Sequence, residues 1–162
     1  SRGSVVPLFM KKKDDGVLPL THPDMTRFWL TVEQGVDFVL ESLERMTGGE
    51  TFVPKIPSLK IMDLAKHICP ACRIRIVGIR QGEKIHETLI SRDEARNTLE
   101  AEEYYLIKPD STFFRFQVDE TDFKIVPEGF EYNSLENEHW VTKARIDEMI
   151  RSLQVLPESL HG

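Results

Sequence analysis

The sequence predicts an α/β fold of short mixed or parallel strands with packed helices, and three observations carry that prediction. Val32, Val36, Val39, Leu40, Leu43 and Met46 recur at helical spacing behind a capping box formed by Thr31 and Gln34. Residues 73–79, Arg-Ile-Arg-Ile-Val-Gly-Ile, read as a strand that follows a helical stretch over 58–68 and a short apolar strand over 51–53. That β-α-β order predicts parallel pairing of the two strands through a right-handed crossover. The third observation is compositional: 162 residues, 40% hydrophobic and 30% charged, make an ordinary globular chain with one modest core, hence one domain over 1–162.

The elements follow in order. Ser4 can cap a first helix whose first turn tolerates Pro7 and whose apolar side carries Val5, Val6, Leu8 and Phe9; Gly16 ends it. Residues 17–21 read as extended, 22–24 as a turn with proline, and 25–30 as a further extended run leading into the capped helix, which Gly48 and Gly49 stop. After residues 73–79, strands are expected over 87–90 and 104–108, and 109–127 reads as a long loop or hairpin rich in phenylalanine. Thr142 caps a last helix, with Val141 and Ile146 as a hydrophobic staple and Ile146, Met149, Ile150 and Leu153 on one face.

Charge narrows the function classes. A formal net charge of −6 argues against broad nucleic-acid binding, which needs a basic surface to displace counterions, so an anionic ligand must be held by a few local arginines. No apolar run approaches the ~18 residues of a membrane span and no secretory h-region leads the chain, so a cytoplasmic location without membrane association is the expectation.

The run Arg80-Gln81-Gly82-Glu83-Lys84 closes the strand-like segment. A strand ending in an arginine, a glycine turn and a glutamate offers a forked cation for phosphate and a carboxylate for adjacent hydroxyls, the pair a nucleoside diphosphate needs. Spacing alone fits a local surface ion pair between Arg80 and Glu83 equally well. Arg27 stands amid Met25, Phe28 and Trp29, where an unpartnered guanidinium is costly; it serves either a ligand or the protein's own acidic residues. Arg2, with Gly3 and Ser4 ahead of a helix, fits an anion cradle of glycine turn and helix amides as well as it fits a commonplace basic chain end.

No Gly-x-Gly-x-x-Gly is present, so a dinucleotide cofactor site is not expected in this chain, nor is a catalytic tyrosine–lysine pair or a nucleophile with its base. Cys69-Pro-Ala-Cys72, with His67 just before, matches redox and zinc spacings but lacks a closed ligand set, and it follows a helical segment. It reads as two reduced thiols in a helix-to-strand turn, with no metal site. None of the five histidines has a partner at metal or catalytic spacing, and His86 reads as structural.

Five ordered blocks, Ser1 to Pro7, Asp24 to Phe28, Gly49 to Pro57, Gly78 to Lys84 and Asp93 to Thr98, resemble the carboxyl half of bacterial UDP-N-acetylglucosamine 4,6-dehydratases. The nearest likeness is to the inverting type that opens pseudaminic acid synthesis, within the extended short-chain dehydrogenases/reductases of polysaccharide biosynthesis. The resemblance implies a carboxyl-terminal, substrate-binding part of an extended Rossmann-type fold. It further implies an amino-terminal Rossmann half that binds NADP, holds the catalytic residues and is absent from this chain, which should be inactive alone and bind no cofactor. UDP-N-acetylglucosamine is the implied substrate, and a homo-oligomer the implied state of the complete enzyme. Residues Arg2, Gly3, Ser4, Val5 and Val6 would lie over the substrate, Thr21 and Met25 near the uridine, Arg27 and Arg80 toward the diphosphate, and Glu83 at the ribose. Gln81 stands where the family usually has proline, which removes turn rigidity but no ligand. A related nucleotide-sugar dehydratase or epimerase, or a non-catalytic nucleotide-sugar binding module, are the alternatives.

Overall fold

The computed structural model describes residues 5–109 and 117–155, with side chains to Arg151. In chain order the elements are α1 (Val5–Lys12), β1 (Val17–Leu20), β2 (Thr26–Phe28), α2 (Val32–Arg45), β3 (Thr51–Pro54), β4 (Ser58–Lys60) and α3 (Ile61–Ile68). These are followed by β5 (Arg73–Ile76), β6 (Thr88–Ile90), β7 (Thr98–Glu100), β8 (Tyr104–Ile107), β9 (Lys124–Ile125), β10 (Tyr132–Asn133) and α4 (Lys143–Val155). Parallel and antiparallel pairs both occur, as expected for a mixed α/β chain. The residues group into two compact units, one of 1–27, 58–86 and 139–162, the other of 28–57 and 87–138.

In the first unit α1 buries Val6 and Phe9, a 3-10 turn over Lys13–Asp15 follows it, and Gly16 ends that turn at φ +70°, where its N–H reaches the Lys13 carbonyl. Only glycine takes that left-handed position at no steric cost. β1 runs parallel to β5, with Val17 opposite Arg73 and Leu20 opposite Ile76. Leu18, Leu20, Leu59, Ile61, Leu64 and Ile146 are buried. Thr142 caps α4 as predicted, its Oγ1 accepting the Arg145 N–H at 3.3 Å. The Leu153 side chain and the Ser4 cap lie outside the described residues.

Three expectations are corrected here. The helix predicted over 58–68 begins only at Ile61, because residues 58–60 are extended: Ser58 donates to the His139 carbonyl and accepts from the Val141 N–H, both at 2.8 Å. Those partners lie far along the chain, where local periodicity cannot see them. β5 pairs with β1 rather than with residues 51–53, whose edge is taken by β8. The two cysteines are not reduced thiols: Cys69 and Cys72 are joined by a disulfide, and the Cys72 sulfur lies 3.3 Å from the Lys13 carbonyl.

In the second unit a four-stranded antiparallel sheet runs in the order β3-β8-β7-β9, and β6 pairs antiparallel with β10. Its core packs Val53, Ile90, Ala95, Tyr105, Val126 and Tyr132. Tyr132 stacks on Phe28 and Tyr105 at centroid distances of 4.8 and 5.0 Å. Its hydroxyl accepts from the Ile56 N–H at 2.8 Å and donates to the Ile56 carbonyl at 3.0 Å, tying the segment after β3 to β10. The capping box of α2 is present as predicted, with Thr31 Oγ1 accepting from Gln34 N–H and Gln34 Oε1 from Thr31 N–H. Of the predicted loop over 109–127, residues 110–116 lie outside the described residues, and 117–127 hold a single 3-10 turn and β9.

Candidate functional site

The residues of the predicted strand-end site lie in the first unit. β5 stops at Ile76, Val77 N–H makes one more bond to the Leu20 carbonyl, and Gly78 at φ +85° turns the chain away. Residues 80–83 then form a tight turn closed by Glu83 N–H on the Arg80 carbonyl at 3.0 Å, with Gly82 at φ +81° in its third position. A positive φ there demands glycine, whereas the second position, Gln81, is free of that constraint.

Glu83 is the organiser of this turn. Its carboxylate accepts the Arg80 N–H at 3.2 Å and the Thr21 Oγ1–H at 3.3 Å, so it fastens the loop after β5 to the end of β1. The Arg80 guanidinium, by contrast, is exposed and makes no hydrogen bond or ion pair among the described residues. Of the two readings left open by spacing, the surface ion pair with Glu83 is therefore not formed. The fork is left presented to solvent, beside Ile76, Val77 and Ile79, each about half exposed.

Arg27 is held differently. Its guanidinium donates to the carbonyls of Thr26 at 2.7 Å, Ile85 at 3.0 Å and Lys84 at 2.8 Å. Thr26 N–H adds a bond to the Ile85 carbonyl at 3.1 Å, and Thr26 Oγ1 lies 2.8 Å from His86 Nδ1. Through these main-chain bonds the arginine clamps the strand holding Thr26 to the segment that carries Arg80 and Glu83. This bonding also places His86 in the structural position expected of it. Sequence reasoning missed the clamp because carbonyl acceptors carry no residue-type signal.

The remaining predicted residues are placed as follows. Thr21 joins Glu83, while Met25 is buried, its carbonyl accepting from Ile61 N–H. Val5 is partly buried and Val6 buried on α1. Arg2, Gly3 and Ser4 lie outside the described residues. The structure therefore brings Thr21, Arg27, Arg80 and Glu83 around one loop, while Met25 and Val6 are buried.

The spacing Tyr-x-x-x-Lys does occur, at Tyr104 and Lys108, contrary to the expectation of no such pair. It lies in and just after β8, where Tyr104 packs on Phe52 and Phe123, and Lys108 Nζ pairs with Glu120 at 3.1 Å. Both ends are committed to the second unit's own packing. A cavity of about 640 Å³ in the first unit is lined by Lys60, Lys66, His67, Trp140 and Lys143 among others, and it contains none of the predicted residues. His67 there is paired with Asp147 at 2.6 Å, and Lys60 lies over the Trp140 ring. Among the described residues, no group of three or more His, Cys, Asp or Glu side chains could hold a metal ion.

Residues 1–109 match the family model described as polysaccharide biosynthesis protein. A UDP-N-acetylglucosamine 4,6-dehydratase (inverting) of Campylobacter jejuni is 46% identical over 161 residues, covering 93% of this chain and 47% of the relative, whose carboxyl-terminal part it matches. A UDP-glucose 4-epimerase of Rickettsia conorii is 40% identical over 115 residues, 68% of this chain and 34% of the relative. The solved structure of Pen from Bacillus thuringiensis superposes with a TM-score of 0.76 at 28% identity, over 96% of this chain and 48% of that one. The chain spans about half the length of the dehydratases it matches.

Proposed function

The chain belongs to the polysaccharide biosynthesis protein family, and on that premise we propose that it is the substrate-binding, carboxyl-terminal region of a UDP-N-acetylglucosamine 4,6-dehydratase, a lyase. The observation that carries the proposal is the loop at the end of β5, which holds Arg80, its guanidinium unpaired among the described residues, on a turn braced by Glu83, Thr21 and Arg27. Ligands of open α/β sheets sit outside the carboxyl ends of strands, where this loop lies.

In this reading Arg80 takes the diphosphate through two parallel N–H bonds, the exposed Ile76, Val77 and Ile79 offer apolar surface to the base, and Arg27 positions the loop rather than touching the ligand. Glu83 keeps one or more acceptor lone pairs for ribose hydroxyls while bracing the turn. Arg2 to Ser4 would complete the anion cradle, and Val5 and Val6 would seat it. The hydride chemistry of such a dehydratase belongs to NADP. This chain has no Gly-x-Gly-x-x-Gly to hold that cofactor, which falls to a preceding dinucleotide-binding half. The chain alone is inactive. The complete enzyme is cytoplasmic and homo-oligomeric, it supplies pseudaminic acid synthesis, and no described helix is long and apolar enough to cross a membrane.

The likeness to a UDP-glucose 4-epimerase supports a second reading, in which the same loop serves an epimerase. Incubating the full-length protein with UDP-N-acetylglucosamine and analysing the product by mass spectrometry and NMR separates them. Loss of one water with a new 4-keto-6-deoxy sugar supports the dehydratase, an isomer of unchanged mass supports the epimerase, and recovery of untouched substrate together with UDP-glucose refutes both.

A further inference from the structure

The cavity of about 640 Å³ in the first unit shares no lining residue with the loop after β5, and its walls are tied at two points. Ahead of α3 and α4, Ser58 bridges to Trp140 in parallel register, donating to the His139 carbonyl and accepting from the Val141 N–H. In the last turn of α3, the His67 ring lies 2.6 Å from Asp147 on α4. Ser58, His67 and Trp140 all line the cavity, so the space between the two helices is set by the fold itself. Its volume falls in the range of about 300–1,000 Å³ that small-molecule sites occupy.

The charge of this cavity runs against that of the chain. The protein carries a formal net charge of −6, yet Lys60, Lys66 and Lys143 line the cavity with Asp63 as the one carboxylate in its wall. Among the described residues none of the three lysines makes a hydrogen bond or an ion pair. Lys60 Nζ lies 5.5 Å from the centre of the Trp140 ring, which is itself 38% exposed. Lys60 is the N-cap residue of α3 and Lys143 the first residue of α4, so the positive ends of both helix dipoles add to the cations. Cations gathered in this way repel one another, and a bound anion relieves the repulsion. The wall also selects more than charge: ammonium groups take phosphate oxygens, a carboxylate accepts from hydroxyls, and an indole packs against a flat ring. We propose that this cavity is a second ligand site, which takes a phosphorylated sugar, free or within a nucleotide. The phosphate lies on the three lysines, sugar hydroxyls donate to Asp63, and the ring lies against Trp140. None of these residues belongs to the Arg80 loop, so the assignment is independent of the dehydratase reading.

The test uses fluorine NMR of the full-length protein labelled with 5-fluorotryptophan. The Trp140 resonance is identified by its loss in Trp140→Phe and its retention in Trp29→Phe. Ribose 5-phosphate, adenosine 5′-monophosphate and inorganic phosphate are titrated in turn. Both organic phosphates should shift the Trp140 resonance saturably, with affinities about tenfold or more above that of inorganic phosphate, and the double variant Lys60→Gln with Lys143→Gln should weaken them by about tenfold or more. Asp63→Ala separates recognition from simple attraction: it should weaken the two organic phosphates, which lose a hydroxyl acceptor, and strengthen inorganic phosphate, which loses a repelling charge. Arg80→Lys should leave every Trp140 titration unchanged. Tighter binding of the mononucleotide than of ribose 5-phosphate assigns the site to nucleotides, and equal binding assigns it to sugar phosphates. The proposal is overturned if neither organic phosphate gives a saturable shift, if inorganic phosphate binds as tightly as they do, or if the shift survives loss of both lysines. A shift that weakens in Arg80→Lys overturns it too, because Trp140 would then be reporting the loop after β5.

Discussion

Replacing Tyr132 by phenylalanine removes one oxygen from the core of the second unit and leaves its packing intact. The ring keeps its contacts with Phe28 and Tyr105, so the change isolates the hydroxyl, which accepts from Ile56 N–H at 2.8 Å and donates to the Ile56 carbonyl at 3.0 Å. The two losses are unequal. The carbonyl retains a bond from Asn137 Nδ2 at 2.8 Å, but the amide has no other partner among the described residues. A net hydrogen bond contributes about 1 kcal/mol, and a half-buried amide left unpaired adds part of a desolvation cost of about 1–3 kcal/mol, so the expected loss is ~2 kcal/mol. For a chain of this length that lowers Tm by roughly 4–8 °C. Thermal unfolding followed by near-ultraviolet circular dichroism measures it, and amide exchange at Ile56 reports the orphaned donor directly. Tyr105→Phe is the matched control, because its hydroxyl has no hydrogen-bond partner among the described residues; it should stay within about 0.5 kcal/mol. A Tyr132→Phe variant as stable as the control, with Ile56 exchange unchanged, would refute the tie between this residue and the segment after β3.

Alkaline titration supplies a second expectation. Burial, with Glu100, Tyr132 and Glu138 adding repulsion, pushes the Tyr105 phenol up to about 12, and burial raises Tyr132 as well. The unfolded phenols release their protons near pH 10 while the folded ones hold them, so stability is intact below pH 10 and falls as pH rises toward 12. Urea midpoints from pH 8 to 11 should drop accordingly and drop less in Tyr105→Phe; parallel curves would contradict this. The Cys69–Cys72 disulfide closes a very short loop, for which chain entropy gives a stabilisation of about 2 kcal/mol. Cys69→Ser with Cys72→Ser, or reduction by dithiothreitol, should lower unfolding stability by that order, and a change within 0.5 kcal/mol would instead favour the reduced-thiol expectation.

What the sequence made legible was local. The Thr31–Gln34 box, the Gly16 stop, the Thr142 cap and the turn through Gly82 are set by residues within a few positions of one another, and each is where the pattern placed it. Pairing across the chain was not legible. Ser58 is extended because its partners are His139 and Val141, and β3 lies against β8 although a later parallel strand offered the simpler crossover. The site divides the same way: the Arg80–Glu83 run showed its residue types, but Glu83 turned out to hold Thr21 and the Arg80 amide, and Arg27 found main-chain carbonyls. Side chains that bind backbone leave no mark in a residue pattern. The α2 stripe was read correctly as an apolar helix face; that Val32, Val36, Val39, Leu40, Leu43 and Met46 are exposed is something periodicity does not encode.

We propose that the Arg80 guanidinium, which has no partner among the described residues, binds the diphosphate of a UDP-sugar. Arg80→Lys keeps the charge and removes the planar fork, so it separates bidentate recognition from simple attraction. Isothermal calorimetry of UDP binding to the full-length protein and to its Arg80→Lys variant tests this directly. Loss of a charge-assisted bond predicts affinity weaker by roughly tenfold to a hundredfold, with NADP affinity unchanged. A UDP affinity within twofold of the parent would contradict the claim and return Arg80 to the surface.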